Sequence, residues 1–210
     1  MQTREISMSP AQTPRSLKKR QDIVDGAITA FQQFGVSDTS MDKIAETAQV
    51  SKRTVYNHFE SKEVLVAEII RDIWSQNVLT YDYQYNANKD LRSQLAELVS
   101  NELRFICDPN NLDLIRVAMG YCLFNPNMFD GDIREFFEQE TTLIRWLRLA
   151  MEDGKLKKSD PHKLSEQLIS LLKGQAFWPQ LLHQDAPLTN EQLSELKDET
   201  LNIFLNYYAI

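Results

Sequence analysis

Glycine, proline, histidine and cysteine are all scarce in this chain, with six, seven, three and two copies among 210 residues. So few breakers leave long segments rich in Leu, Ala, Glu, Lys and Gln uninterrupted. No stretch shows the apolar–polar alternation that a half-buried strand requires. The expected fold class is therefore all-α, with about nine helices. Cys107 and Cys122 match no metal-ligand spacing and sit in apolar helical patterns, so they read as buried reduced thiols and not as a redox pair. His58, His162 and His183 are too far apart in the chain to suggest a metal site, and neither a nucleophile elbow nor a glycine-rich phosphate loop is present. No catalytic residue, metal or cofactor is expected. No apolar run approaches the ~18 residues that signal a membrane span. The first fourteen residues, MQTREISMSPAQTP, lack the apolar centre of a signal peptide. Residues 1–15 are expected to be a disordered tail, and the location cytoplasmic.

Positive charge is in deficit as well: 23 Lys and Arg stand against 30 Asp and Glu, for a net charge of −7. The deficit is uneven. Residues 1–80 hold ten of each sign, and the whole imbalance lies in 81–210. An acidic polyelectrolyte is repelled by nucleic acid at long range, so any contact with DNA must come from a locally basic surface in the first part of the chain. Hydrophobic residues make up 42% of the sequence, enough for a proper core.

What the chain does contain is concentrated in 39–62, TSMDKIAETAQVSKRTVYNHFESK. Ser40 can cap a short helix in which Met41, Ile44, Ala45 and Ala48 share one face. Gln49 and Val50 interrupt it. Ser51 can cap a second helix that turns Val55 and Phe59 inward and leaves Lys52, Arg53, Thr54, Asn57 and His58 outside. Two short helices joined so tightly, the second with a basic outer face, describe a helix-turn-helix, although helical proteins that never meet DNA also contain such pairs. Lys52 and Arg53 occupy a first turn where the helix dipole disfavours cations, a placement that a polyanionic partner would explain. Residues near the start of a groove-inserted helix reach base edges, so Lys52, Arg53 and Asn57 are the candidates for base readout. Thr54, Tyr56, His58 and Lys62 are assigned to phosphates, with partial core packing as the alternative for Tyr56. Upstream, TPRSLKKR supplies Lys18, Lys19 and Arg20 as a candidate DNA-contacting arm beside Arg15. Asp42 puts an acid near the path of the DNA backbone.

A basic N-terminus, a helix ending FQQFG and then TSMDKIAETAQVSKRTVYNHFESKEVL together resemble the DNA-binding domain of the tetracycline-repressor family of bacterial regulators, over roughly residues 16–70. LLKGQAFWPQLL at 171–182 resembles the AefR-like C-terminal region of one subgroup. The resemblance implies an all-helical homodimer with an N-terminal DNA-binding domain and a larger domain for dimerisation and ligand sensing. It also supports backbone-contacting roles for Tyr56, His58 and Lys62. The expected division is a helix-turn-helix domain at 16–61, a connecting helix at 62–80 and an effector-binding and dimerisation domain at 81–210.

Helices are expected over about 16–34, burying Ile23, Ala27, Ala30, Phe31 and Phe34 and closed by Gly35, and then over 89–107, 112–124, 132–151, 161–183 and 190–208. Residues 81–86 are either a frayed helix end or a loop. Leu171, Gly174, Phe177, Trp178, Leu201 and Phe204 form a candidate dimer interface on the last two helices, with intrachain core as the alternative; a mid-helix glycine hints at close helix approach. Phe105, Met119, Phe124, Phe137 and Trp146 could line an effector pocket or simply fill a core. Arg104 and Arg116 could meet an anionic ligand or pair with surface acids. The functional expectation is a sequence-specific DNA-binding regulator. It would act as a repressor, released from a pseudo-palindromic double-stranded operator by an unidentified, largely apolar small-molecule effector. The competing expectation is a DNA-bound scaffold of the same fold that recruits a protein partner and senses no ligand.

Overall fold

A computed structural model describes residues 13–75, 81–125, 139–183 and 186–210. They form ten α-helices, and among them extended pairing is confined to an isolated antiparallel bridge between Leu156 and Ala209. The chain divides into two compact units, Met1–Val66 and Ala67–Ile210.

The first unit holds α1 (Pro14–Phe34), α2 (Met41–Thr47), α3 (Lys52–His58) and the start of α4 (Lys62–Trp74). Thr13 caps α1 and Pro14 occupies its first turn, where a missing N–H costs nothing. The inward face of α1 is Ile23, Val24, Gly26, Ala27, Ala30 and Phe31, all buried. Phe34 does not join them: it is 46% exposed, with the Lys43 ammonium 5.2 Å above its ring. Gly35, at φ 77°, ends the helix as expected and donates to Phe31 O. Gly26 has a different function. A Cβ built there would stand 2.6 Å from Ala48 Cβ and 2.7 Å from its Cα, so α1 and α2 meet at a point that tolerates no side chain. The α2–α3 connection is a Schellman closure: Gln49 N–H donates to Glu46 O (3.1 Å) and Val50 N–H to Ala45 O (3.0 Å). Gln49 takes the left-handed conformation, φ 54°, at the position where glycine is usual.

The second unit contains the rest of α4, then α5 (Leu91–Cys107), α6 (Pro109–Phe124), α7 (Thr142–Glu152), α8 (Pro161–Ala176), α9 (Trp178–Leu181) and α10 (Asn190–Tyr208). Leu95, Leu98, Trp146, Leu147, Leu164, Leu168, Leu172 and Leu201 are at the centre of its core. Three boundaries differ from the sequence reading. Asp108 and Pro109 both end α5 and open α6, because the Asp108 carboxylate accepts from Asn110 and Asn111 N–H and proline suits a first turn. The helix expected at 132–151 starts at Thr142, capped by the Thr141 hydroxyl; the residues before 139 lie outside those described. The helix expected to reach 183 stops at Ala176, since Pro179 cannot donate into a continuing ladder, and a single short turn, α9, follows.

Residues 81–90 are a loop and not a frayed helix. This strap is held by Gln94, which is buried. Its amide donates to Asn86 O (2.9 Å) and Lys89 O (3.2 Å), while its oxygen accepts from Asn86 N–H (2.8 Å) and Trp146 Nε1–H (3.4 Å). Tyr85 packs edge-on against Trp146 and donates to the Asp153 carboxylate at 2.6 Å.

Glu102 on α5 is half-buried, and loss of solvent pushes its carboxyl up to about 7, with Lys173 on α8 pulling the other way. Burial in turn lowers the Lys173 ammonium.

Two consequences can be measured. Gly26→Ala forces apart a contact between backbone and side chain, and overpacking of this kind costs about 1–3 kcal/mol, readable as a lower denaturant midpoint. The Glu102 carboxyl binds its proton more tightly folded than unfolded, so its contribution to stability is present in acid and declines as pH rises toward 7. Glu102→Gln is accordingly expected to be more stable than the parent at pH 8, with the difference shrinking as pH falls and vanishing only below the carboxyl's ordinary value of 4.5, in paired urea titrations.

Candidate nucleic-acid interface

The recognition candidate α3 is only seven residues long and depends on its ends. The Ser51 side chain accepts from Thr54 N–H at 3.1 Å and shares a 2.7 Å hydroxyl contact with Thr54 Oγ1. Val55 and Phe59 are buried at 0% and 1% exposure and seat the helix. That burial places the opposite face outward: Lys52, Arg53, Tyr56 and Asn57 are exposed, and Thr54 and His58 half-buried. Residues 52 and 56, and likewise 53 and 57, stand one turn apart and form a compact patch. Tyr56 is 52% exposed, so core packing does not occupy it.

Lys52 is paired with Asp42, which projects from the first turn of α2. Both side chains are more than half exposed, and an ion pair of that kind is worth about 0–1 kcal/mol, small enough for a phosphate or a base edge to displace. The acid at 42 therefore engages one particular lysine of this face.

The other basic candidates do not form one group. Lys18 is exposed on α1 and Lys19 half-buried. Arg20 lies over the Phe59 ring, 4.7 Å from its centroid, at the C-terminal end of α3. Lys62 is half-buried, and its ammonium donates to the carbonyls of Val36 (2.7 Å), Ser37 (3.2 Å) and Thr39 (3.1 Å). Three N–H donors meet three acceptors, so the group assigned to phosphate has its hydrogen bonds committed to the protein's own backbone. Sequence spacing could not show that. The α1–α2 turn is 23 to 26 residues away in the chain.

In the second unit the dimer candidates separate by burial. Phe177, Leu201 and Phe204 are 5%, 1% and 2% exposed and belong to the intrachain core, which corrects the expectation that they face a partner. Leu171 is half-buried, and Gly174 and Trp178 are exposed. Gly174 has nothing within 4 Å of a built Cβ, so no close approach inside the chain explains it. Leu171 and Phe204 border a cleft of about 860 Å³ between α8 and α10, together with exposed Ile203 and Tyr207. The sequence reading missed those two; their outward i, i+4 spacing on α10 was the available signal. Of the effector candidates, Trp146 is 1% exposed and fills the core, correcting its place in a pocket. Phe105 and Met119 are partly buried against that core. Phe137 and the Phe124 side chain lie outside the described residues. Arg104 is exposed and bonded to Ser100 O, whereas Arg116 donates to Gln180 O and Leu181 O (both 2.8 Å) and pairs with Asp113. Arg116 thus closes α9 and is not free for a ligand.

Among the described residues no group of His, Cys, Asp and Glu could hold a metal ion, and no helix is long and apolar enough to cross a membrane.

The chain was compared with known proteins. Residues 23–69 match the family model described as bacterial regulatory proteins, tetR family, and residues 93–210 match that of the AefR-like transcriptional repressor C-terminal domain. A solved TetR-family regulator from Pseudomonas syringae pv. tomato is 40% identical, with a TM-score of 0.78, covering 92% of this chain and 98% of its own. The probable acrEF/envCD operon repressor of Escherichia coli is 31% identical over 127 residues, a stretch that spans 57% of this chain but only 56% of that protein. The icaADBC negative regulator IcaR of Staphylococcus aureus is 27% identical over 188 residues, 87% of this chain and 97% of its own. Capped α2 and α3, the exposed basic face of α3 and matches reaching across both units lead to one conclusion: the chain belongs to the TetR family of bacterial regulators, DNA-binding transcription factors and not enzymes.

Proposed function

We propose that this protein is a dimeric repressor that reads a pseudo-palindromic operator through α3 and is released from it by a small, largely apolar effector. The exposed patch of Lys52, Arg53, Tyr56 and Asn57, held by the buried Val55 and Phe59, carries the reading. Among the described residues Arg53 has no ion pair, and it stands in the first turn, so its guanidinium is the natural bidentate partner for guanine, with Lys52 and Asn57 reading beside it. Thr54, Tyr56 and His58 contact phosphates and set register; Lys18 and Lys19 extend the positive surface along α1. Repression, as opposed to activation, is supported by the names of the relatives, an operon repressor and a negative regulator.

In this reading the dimer forms over the outer faces of α8, α9 and α10, where Leu171 is half-buried and Gly174, Trp178, Ile203 and Tyr207 are exposed. Two-fold symmetry would then present two copies of α3 to half-sites about 34 Å, one helical turn, or a multiple apart.

Selection of bound sequences from a random DNA pool tests the whole reading: a recurrent inverted repeat is the expected result, and no enrichment over input is the contrary one. On the selected site, Arg53→Ala should lose about 1–3 kcal/mol of discrimination at a single base position, measured by competition titration. An unchanged preference at every position would remove Arg53 from readout. Ile203→Asp places a charge in the proposed interface and should convert the dimer to monomer in sedimentation equilibrium while leaving the helical circular-dichroism signal in place.

A further inference from the structure

The turn between α1 and α2, residues 35–39, presents a backbone accounting problem. It belongs to no helix and no strand, yet Val36 and Thr39 within it are buried, where an unpaired acceptor is costly. Two side chains resolve it. Thr39, 1% exposed, donates its hydroxyl to Gly35 O (2.6 Å) and also reaches Ala30 O (3.3 Å). Lys62 serves three more, placing its ammonium among Val36 O, Ser37 O and Thr39 O. A lysine as the first residue of a helix faces the unfavourable end of the helix dipole. Three carbonyl dipoles aimed at one cation offset that penalty, which explains why the residue turns back onto the loop.

We propose that Lys62 is a positioning residue for operator recognition, acting through the α1–α2 turn and not by touching phosphate; the proposal rests on the DNA-binding reading above. The turn delivers Ser40, whose side chain caps α2 by accepting from Lys43 N–H at 3.2 Å. α2 in turn carries Ala48 against Gly26 and Asp42 against Lys52, and it leads through the Gln49 closure into α3. Removing the ammonium leaves three carbonyls to be hydrated and frees the turn that sets the start of α2. A displaced α3 would lose base contacts, which need tight geometry. Non-specific phosphate contacts tolerate displacement. The two roles for Lys62 therefore separate by experiment. A phosphate contact contributes equally to every sequence and adds about 0.9 to the slope of log K against log salt. A positioning residue changes the ratio of specific to non-specific affinity and leaves the slope alone.

The test uses the full-length protein, the site recovered by selection and an unrelated duplex of equal length, at a temperature well below the melting transition. Lys62→Met is expected to weaken the selected site roughly tenfold, the size of a lost base contact, while the unrelated duplex and the salt slope stay unchanged. Amide exchange over residues 36–41 should rise in the same variant without DNA. Thr39→Val loosens the same turn without altering any charge and should reproduce both effects, which keeps the proposal testable if Lys62→Met does not fold. A fall of about 0.9 in the salt slope of Lys62→Met, with both duplexes weakened alike, would overturn the proposal in favour of a phosphate contact. Unchanged exchange in the turn would overturn it whether or not the parent protein selects any DNA, so its failure is distinct from failure of the DNA-binding reading.

Discussion

The contact between Gly26 and Ala48 constrains everything else in the DNA-binding unit. α1 approaches α2 so closely that a single methyl group at position 26 would overlap backbone atoms of the neighbouring helix. The same approach buries Ile44 and Ala45, which lie on the inner face of α2. Ala48 is also the last residue before the left-handed turn at Gln49, so the point of closest approach and the helix-turn-helix corner coincide. Helices of seven residues have no stability of their own. Their placement comes from this small-residue contact together with the two serine caps and the buried Val55 and Phe59.

A second theme runs through both units. Where the chain leaves a helix, its carbonyls are satisfied by individual side chains, near in sequence for Thr39 and Gln94 and distant for Lys62 and Arg116. Lys62 and Thr39 serve the α1–α2 turn, Gln94 the strap at 86–89, and Arg116 the end of α9. An all-α protein has no sheet ladder to absorb such groups, so its connections depend on individual donors. Two residues that resemble binding groups in the sequence, Lys62 and Arg116, accordingly have their donors on backbone carbonyls. Long cationic side chains can cross several ångströms to reach a carbonyl, and they carry more than one donor when they arrive.

That exchange of roles marks the limit of what the sequence disclosed. The capped helices at 41–47 and 52–58 were legible because serine caps and period-3.6 apolar residues are local signals, and the outward face of α3 followed from which residues turned inward. Phe34, Phe177, Leu201 and Phe204 were not. An apolar side chain at helical spacing can face a core, a partner or solvent, and only the neighbouring elements determine which. The helix predicted at 132–151 likewise overran the Thr141 cap, because Thr and Glu in a helical pattern do not by themselves announce a new start.

The all-α class, the two short capped helices and the outward basic face of the second were legible in the amino-acid sequence, since each rests on spacing within a few turns of helix. The tertiary structure decided which charges remain available on that face. Lys52 is shared with Asp42, Arg20 covers Phe59, and Lys62 bonds to the α1–α2 turn, while Arg53 has no ion pair among the described residues. The physical reason is range: helix formation is governed by neighbours three and four residues away, but a hydrogen-bond donor is claimed by whichever acceptor folding brings within about 3 Å.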